Sequence, residues 1–306
     1  MSDNTIVKHE QGLEQLKQLV TDSLTSLNSR VAYDKALTDF LAWYQSTGQR
    51  GLIKATVAEY KTYLQGLGYA PSTINQRLSA IRKLAIEAAD NGLMDAQLAN
   101  GVARVKGVKS SGVRTGNWLT KDQAQRLLDA PDITTLKGLR DRAILAVMLG
   151  AGLRRSEVAA LTFEHIQQRE GRWVIVDLIG KGKRVRTVPI PSWAKQAIDE
   201  WAQTAGISEG RIFRAVNKGD RLAGESLTSQ AVQDVVKAYA KQCGFELAAH
   251  DLRRTFAKLA RKGGADLMQI QLTLGHASVK TTERYLGENQ DLTSAPCDVL
   301  GLKLYQ

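Results

Sequence analysis

Only one stretch of this chain alternates in the manner of strands. Trp173-Val174-Ile175-Val176-Asp177-Leu178 and Val185-Arg186-Thr187-Val188-Pro189-Ile190 are β-rich runs, and they flank the turn Gly180-Lys181-Gly182-Lys183. Everywhere else the apolar residues recur at helical spacing. The fold class expected is therefore mainly α with a small antiparallel β-sheet. At 306 residues the chain is long for one core and fits two domains.

The first third reads as helices. Arg30 to Tyr44 places Val31, Leu37, Phe40 and Leu41 close to helical spacing, and Thr56 to Leu67 continues the pattern. In Ser72 to Ala88, opened by Pro71, the residues Ile74, Leu78, Ile81, Leu84 and Ile86 build one face, while Arg77, Arg82 and Lys83 point elsewhere. Between Val105 and Asn117 the periodicity stops in a basic, Gly/Ser-rich run, which reads as a linker. Thr120 then caps a new helix.

Charge narrows the partner. The chain holds 42 Lys+Arg against 31 Asp+Glu, a net +11, and the excess is +8 over residues 111–306. That points to a polyanion. A hydrophobic share of 43% excludes a disordered chain. The polar start, Met1-Ser2-Asp3-Asn4-Thr5, does not read as a secretory signal, and no apolar run is long enough to span a membrane. Two cysteines, Cys243 and Cys297, cannot build a zinc cluster or a disulfide framework, so a cytoplasmic setting is expected.

Four segments carry chemistry. In Gly152-Leu153-Arg154-Arg155-Ser156-Glu157 a glycine turn leads into a helix capped by Ser156, with Arg154 at its entrance. The hairpin turn Gly180-Lys181-Gly182-Lys183-Arg184 can bring a lysine to a neighbouring cleft. In His250-Asp251-Leu252-Arg253-Arg254-Thr255, His250 and Arg253 share a helix face. Leu274-Gly275-His276-Ala277-Ser278 breaks one helix before another that carries Thr281-Thr282-Glu283-Arg284-Tyr285. Singly, each has an ordinary reading as a surface pair, a basic loop tip or a cap. Jointly they suit phosphoryl transfer. Arginines grip non-bridging phosphate oxygens, and a tyrosine hydroxyl can attack phosphorus. A lysine or histidine must protonate the departing alkoxide. Neither a carboxylate cluster for paired Mg²⁺ nor a GxxxxGK[ST] loop is present, so no cofactor and no metal is expected.

These four boxes, in this order, resemble those of the tyrosine recombinases, the phage integrase family. The likeness covers residues 117–290, and the segment Ser72 to Arg82 is similar to the family's helical core-binding domain. The resemblance implies a helical core-binding domain over 1–107 that clamps DNA, a basic linker over 108–116, and a mixed α/β catalytic domain with a C-terminal tail over 117–306. It implies that Tyr285 is the nucleophile forming a 3′-phosphotyrosyl link. Arg154 and Arg253 would clamp the phosphate, and Lys181 would protonate the leaving 5′-oxygen. His250 would serve proton transfer at the tyrosine, His276 would hydrogen-bond the phosphate, and Glu157 would brace the site from behind. Lys106, Lys109 and Arg114 along the linker, and Arg77, Arg82 and Lys83 on the helix before it, are candidates for DNA contact. The implied partners are double-stranded DNA with a specific site and three further copies of the chain in a tetramer. The apolar tail residues Val299, Leu300, Leu302, Leu304 and Tyr305 would dock on their own domain or on a neighbouring copy. Integration of a mobile element, resolution of dimers and cassette exchange all fit. A type IB topoisomerase-like relaxase and a non-catalytic DNA-binding protein of the same fold are the competing readings.

Overall fold

The computed structural model describes residues 10–48, 51–109, 117–180, 185–276 and 278–286. The chain divides into two compact units, Met1–Val113 and Arg114–Gln306. Each described part has a hydrophobic core of its own.

The first unit is helical: α1 (Glu10–Asp22), α2 (Leu27–Ser46), α3 (Lys54–Gly66), α4 (Pro71–Asp90) and α5 (Ala96–Ala103). Proline at its first position starts α4, and Asp95 caps α5 by accepting from the amides of Gln97 and Leu98. The other four helices pack on α4, which buries Ile74, Leu78, Ile81 and Leu84 as expected. Two expected core residues are exposed instead, Val31 at 64% and Ile86 at 45%. Val31 lies six residues from Leu37, and Ile86 two from Leu84, so helical rotation carries both off the buried stripe. The same geometry corrects Arg77. It stands three after Ile74 and four before Ile81, inside the stripe, and is buried rather than turned away. Its guanidinium pairs with Asp39 at 2.8 Å, and it lies 5.0 Å from the centre of the Tyr69 ring.

α4 also holds the chain that leaves this unit. Arg82 donates to the Val105 carbonyl. Asn75 accepts from the Val108 amide at 2.8 Å and donates to its carbonyl at 3.0 Å. The expected linker is therefore tied down at its start, while residues 110–116, including Arg114, lie outside the described residues.

The second unit opens with α6 (Lys121–Asp129), where Thr120 and Gln123 form the expected cap reciprocally. It continues through α7 (Leu136–Ala151), α8 (Arg155–Ala160), a 3-10 turn (Phe163–His165) and three strands, β1 (Ile166–Arg169), β2 (Arg172–Ile179) and β3 (Val185–Pro189). After the sheet come α9 (Ser192–Ala205), α10 (Ser229–Gln242), α11 (Ala249–Lys262), α12 (Leu267–Leu274) and α13 (Val279–Leu286). α7 is the central helix. It packs against α6, α8, α9, α10 and α11, and Ala143 to Met148 are buried without a break.

The sheet is antiparallel in the order β1-β2-β3, so the expected hairpin has a third strand beside it. β1 reads Ile-Gln-Gln-Arg and carries too little apolar alternation to be seen in the sequence. It is joined to β2 by a two-residue turn, Glu170-Gly171, with φ of 49° and 73°. Positive φ at both positions gives the twist that tight hairpins require. No helix among the described residues is long and apolar enough to cross a membrane.

Candidate active site

The site grows from the ends of three helices. α7 stops at Gly152, whose φ of 60° is left-handed, and a Cβ there would lie 2.6 Å from the Phe256 ring of α11. Glycine thus ends the helix and lets it approach α11. The Gly152 carbonyl accepts from Arg253 at 2.5 Å, and a second Arg253 nitrogen donates to the Leu274 carbonyl. Arg253 is 1% exposed, so its guanidinium joins the end of α7 to the end of α12 from inside the fold.

Arg154 follows at the entrance to α8. The structure corrects the expected cap there: the N-cap is Arg154 itself, and Ser156 lies inside the helix. An arginine has no acceptor to offer the first amides. Glu157 instead reaches back, its Oε2 accepting from the Arg154 amide at 2.8 Å while Oε1 accepts from the Arg154 guanidinium at 2.8 Å. Glu157 is buried, and Arg186 grips it from the other side with two bonds of 2.9 Å. Burial alone would push the Glu157 carboxyl up. The Arg186 fork, the Arg154 amide and the Arg154 guanidinium outweigh it and hold the group below the ordinary carboxylate range. Arg186 was absent from the expected site residues. The signal was available, because Arg186 and Val188 share a strand face and Val188 belongs to the core, so Arg186 points inward.

α12 ends at Gly275, again left-handed with φ of 62°. His276 comes next and is half-buried. Its Nδ1 lies 3.0 Å from the hydroxyl of Thr282, a fully buried residue of α13. Loss of solvation, then the charges of Arg253 and Arg154, then His250 and Arg186, push the imidazole down from its ordinary 6.5 to about 4. His250, in the first turn of α11, is an exposed residue. Desolvation and the charges of Arg253, Arg254 and Arg154 hold it below its ordinary value, with Asp251 opposing them. Arg253 bonds to Gly152, two residues before Arg154, and to Leu274, two before His276, and both histidines feel the charges of both arginines.

Tyr285 stands in the last turn of α13, which packs on α11 and α12 with Leu286 in a small core beside Ala257, Ile270 and Leu274. The Tyr285 side chain lies outside what is described, as do Lys181, the rest of the hairpin turn 181–184 and the tail beyond residue 286. Of the DNA-contact candidates in the first unit, Lys106 and Lys109 are exposed. Lys83 pairs with Glu87 at 3.0 Å, and Arg77 and Arg82 bond within the unit as described above.

A helical unit joined to an α/β unit, with arginines and histidines gathered at the ends of α7, α11 and α12, is the architecture of the tyrosine recombinases. The phage integrase family model matches residues 117–291, and that of the family's N-terminal SAM-like domain matches residues 13–92. Tyrosine recombinase XerC of Myxococcus xanthus is 30% identical over 260 residues, covering 81% of this chain and 83% of its own. Tyrosine recombinase XerD of Pseudomonas aeruginosa is 29% identical over 264 residues, covering 84% and 86%. Among solved structures, XerH bound to its difH substrate in a pre-cleavage complex superposes with a TM-score of 0.67 at 19% identity, covering 92% of this chain and 81% of that one. A lambda integrase dimer bound to a COC′ core site gives 0.68 at 17%, covering 91% and 96%. The chain belongs to the phage integrase family and is a tyrosine site-specific recombinase.

Proposed function

We propose that this chain cuts and rejoins double-stranded DNA at a specific site through a covalent 3′-phosphotyrosyl intermediate on Tyr285, with neither metal nor ATP. The convergence of Arg154, Arg253, His250 and His276 on one locus carries this reading. The Tyr285 oxygen attacks the scissile phosphorus and the bond from phosphorus to the 5′-oxygen breaks. Lys181 gives that oxygen its proton, and His250, whose imidazole is held below its ordinary value by desolvation and by the cations around it, takes the proton of the tyrosine. Arg154 and Arg253 stabilise the charge on the non-bridging oxygens. His276 stays neutral down to about pH 4. With Nδ1 accepting from the Thr282 hydroxyl, its Nε2–H is left to donate to the phosphate. Rejoining reverses these steps with the 5′-hydroxyl of the exchanged strand. One phosphoester replaces another, so no external energy source is required.

In this reading residues 1–107 clamp one side of the duplex, 108–116 form the basic linker, and 117–306 hold the chemistry. Four copies assemble on two duplexes in the cytoplasm, and the apolar tail docks within that assembly. The XerH and lambda integrase structures are complexes with DNA, which supports the duplex as partner.

The test uses a duplex selected for binding from a random library, nicked near the cleavage position so that rejoining fails. In buffer with a chelator and without nucleotide, the wild type should yield a DNA-linked band on a denaturing gel, and Tyr285→Phe should yield none. A band that persists in Tyr285→Phe refutes the nucleophile, and a band that needs added Mg²⁺ refutes the metal-free chemistry.

A further inference from the structure

We infer that Arg186 is a positioning residue for strand cleavage, setting the Arg154 side chain on one edge of the site and His276 on the other. The inference rests on the proposed role of Arg154 as a phosphate clamp. Three bonds carry it. Two arms of the guanidinium hold both oxygens of Glu157 at 2.9 Å, and the Nε donates to the Thr273 carbonyl at 2.9 Å. Glu157 in turn holds the Arg154 guanidinium through the oxygen that Arg186 also grips. Thr273 lies in the last turn of α12, three residues before His276. One planar group therefore ties β3 to α8 and to the end of α12, beside the tie that Arg253 makes between the ends of α7 and α12.

The packing at Gly275 argues the same way. A Cβ there would meet the Arg186 side chain at 3.0 Å, so the backbone turn into His276 is laid directly against this arginine. Arg186 is about nine-tenths buried. It belongs to the frame behind the site and does not face the space in front of it. Its planar fork also sets direction. Lysine can supply the charge but cannot hold two carboxylate oxygens and a carbonyl at fixed angles.

Arg186→Gln should leave affinity for the selected duplex within about twofold and slow single-turnover cleavage on the order of a hundredfold, the scale of an ångström's misplacement of a reacting group. Arg186→Lys should recover part of the rate. The decisive substrate carries a methylphosphonate at the scissile position, which has lost the negative charge that a clamping arginine neutralises. If Arg186 acts by placing Arg154, this substrate should restore Arg186→Gln towards the wild-type rate, as it should Arg154→Ala. If it restores Arg154→Ala but not Arg186→Gln, the positioning role is refuted while the clamp stands. If it restores neither, the clamp reading falls and this inference falls with it. Should Arg186→Gln fail to fold, Glu157→Gln/Arg186→Gln removes the stranded carboxylate and takes its place in the comparison. Wild-type cleavage by that double variant would equally overturn the proposal.

Discussion

At the scale of single residues, the neutral histidines have the most testable consequence. His276 is held down to about 4 against an ordinary 6.5, and His250 is lowered in the same direction. Between those pH values the unfolded chain takes up protons that the folded chain refuses. Stability is therefore complete above about pH 6.5 and falls as pH drops through that window towards 4. Glu157 adds to the loss only lower down, because its folded carboxyl lies below the ordinary 4.5. Urea unfolding at pH 7.5 and pH 5.0 should show a lower midpoint at pH 5.0, and His276→Gln should shrink the difference. An equal shift in that variant would assign the pH effect elsewhere. Gly152, Arg154, Gly275 and His276 stand out in the sequence because they sit at helix breaks, and His250 and Arg253 because they share a helix face. Arg186 was not singled out, since its partners Glu157 and Thr273 are 29 and 87 residues away. Only its strand face, shared with Val188, gave it away.

At the scale of elements, helices were legible where spacing and caps agreed, as with Thr120 ahead of α6 and Pro71 at the start of α4. The misreadings share a cause: the deciding interaction ran against the local rule. α8 is capped backwards by Glu157 rather than forwards by Ser156. β1 exists because β2 offers it an edge and Glu170-Gly171 turns the chain, not because Ile-Gln-Gln-Arg favours a strand. α7 hides a further long-range tie. Asp141, fully buried in the charged first half of this helix, accepts from Arg140 at 2.6 and 2.9 Å, from Lys137 at 2.9 Å and from Tyr239 of α10 at 3.1 Å. Arg140 is almost as deeply buried. Asp141→Ala leaves that guanidinium without its carboxylate and should cost about 3–5 kcal/mol. Asp141→Asn, which keeps the shape and part of the hydrogen bonding, should cost less. Chemical denaturation of both variants checks the order. Equal losses would mean that packing, and not the buried charge pair, makes this position matter.

At the scale of the whole molecule, the net charge of +11 was readable from composition alone. Which of the basic residues meet DNA was not, because the sequence cannot tell a free cation from one engaged inside the fold. The structure separates the candidates. Lys106 and Lys109 are exposed just beyond the point where Arg82 and Asn75 fasten the chain. Arg77 is 7% exposed, with its guanidinium on Asp39 and 3.4 Å from the Tyr60 hydroxyl. Neutralising a backbone phosphate releases counterions, so each such contact adds roughly 0.9 to the slope of log affinity against log salt. Lys106→Ala and Lys109→Ala should each lower that slope by about 1 on any duplex, whatever its sequence, with the midpoint of unfolding unchanged. Arg77→Ala should do the opposite. The slope should stay at the wild-type value while the variant unfolds earlier, because Asp39 loses its 2.8 Å partner, keeping only Lys35 at 3.8 Å, and a buried stripe position is emptied. Salt titrations of fluorescently labelled duplex, run beside thermal melts of the same three variants, measure both quantities. A reduced slope for Arg77→Ala at wild-type stability would show that this guanidinium leaves Asp39 to meet a phosphate when DNA binds.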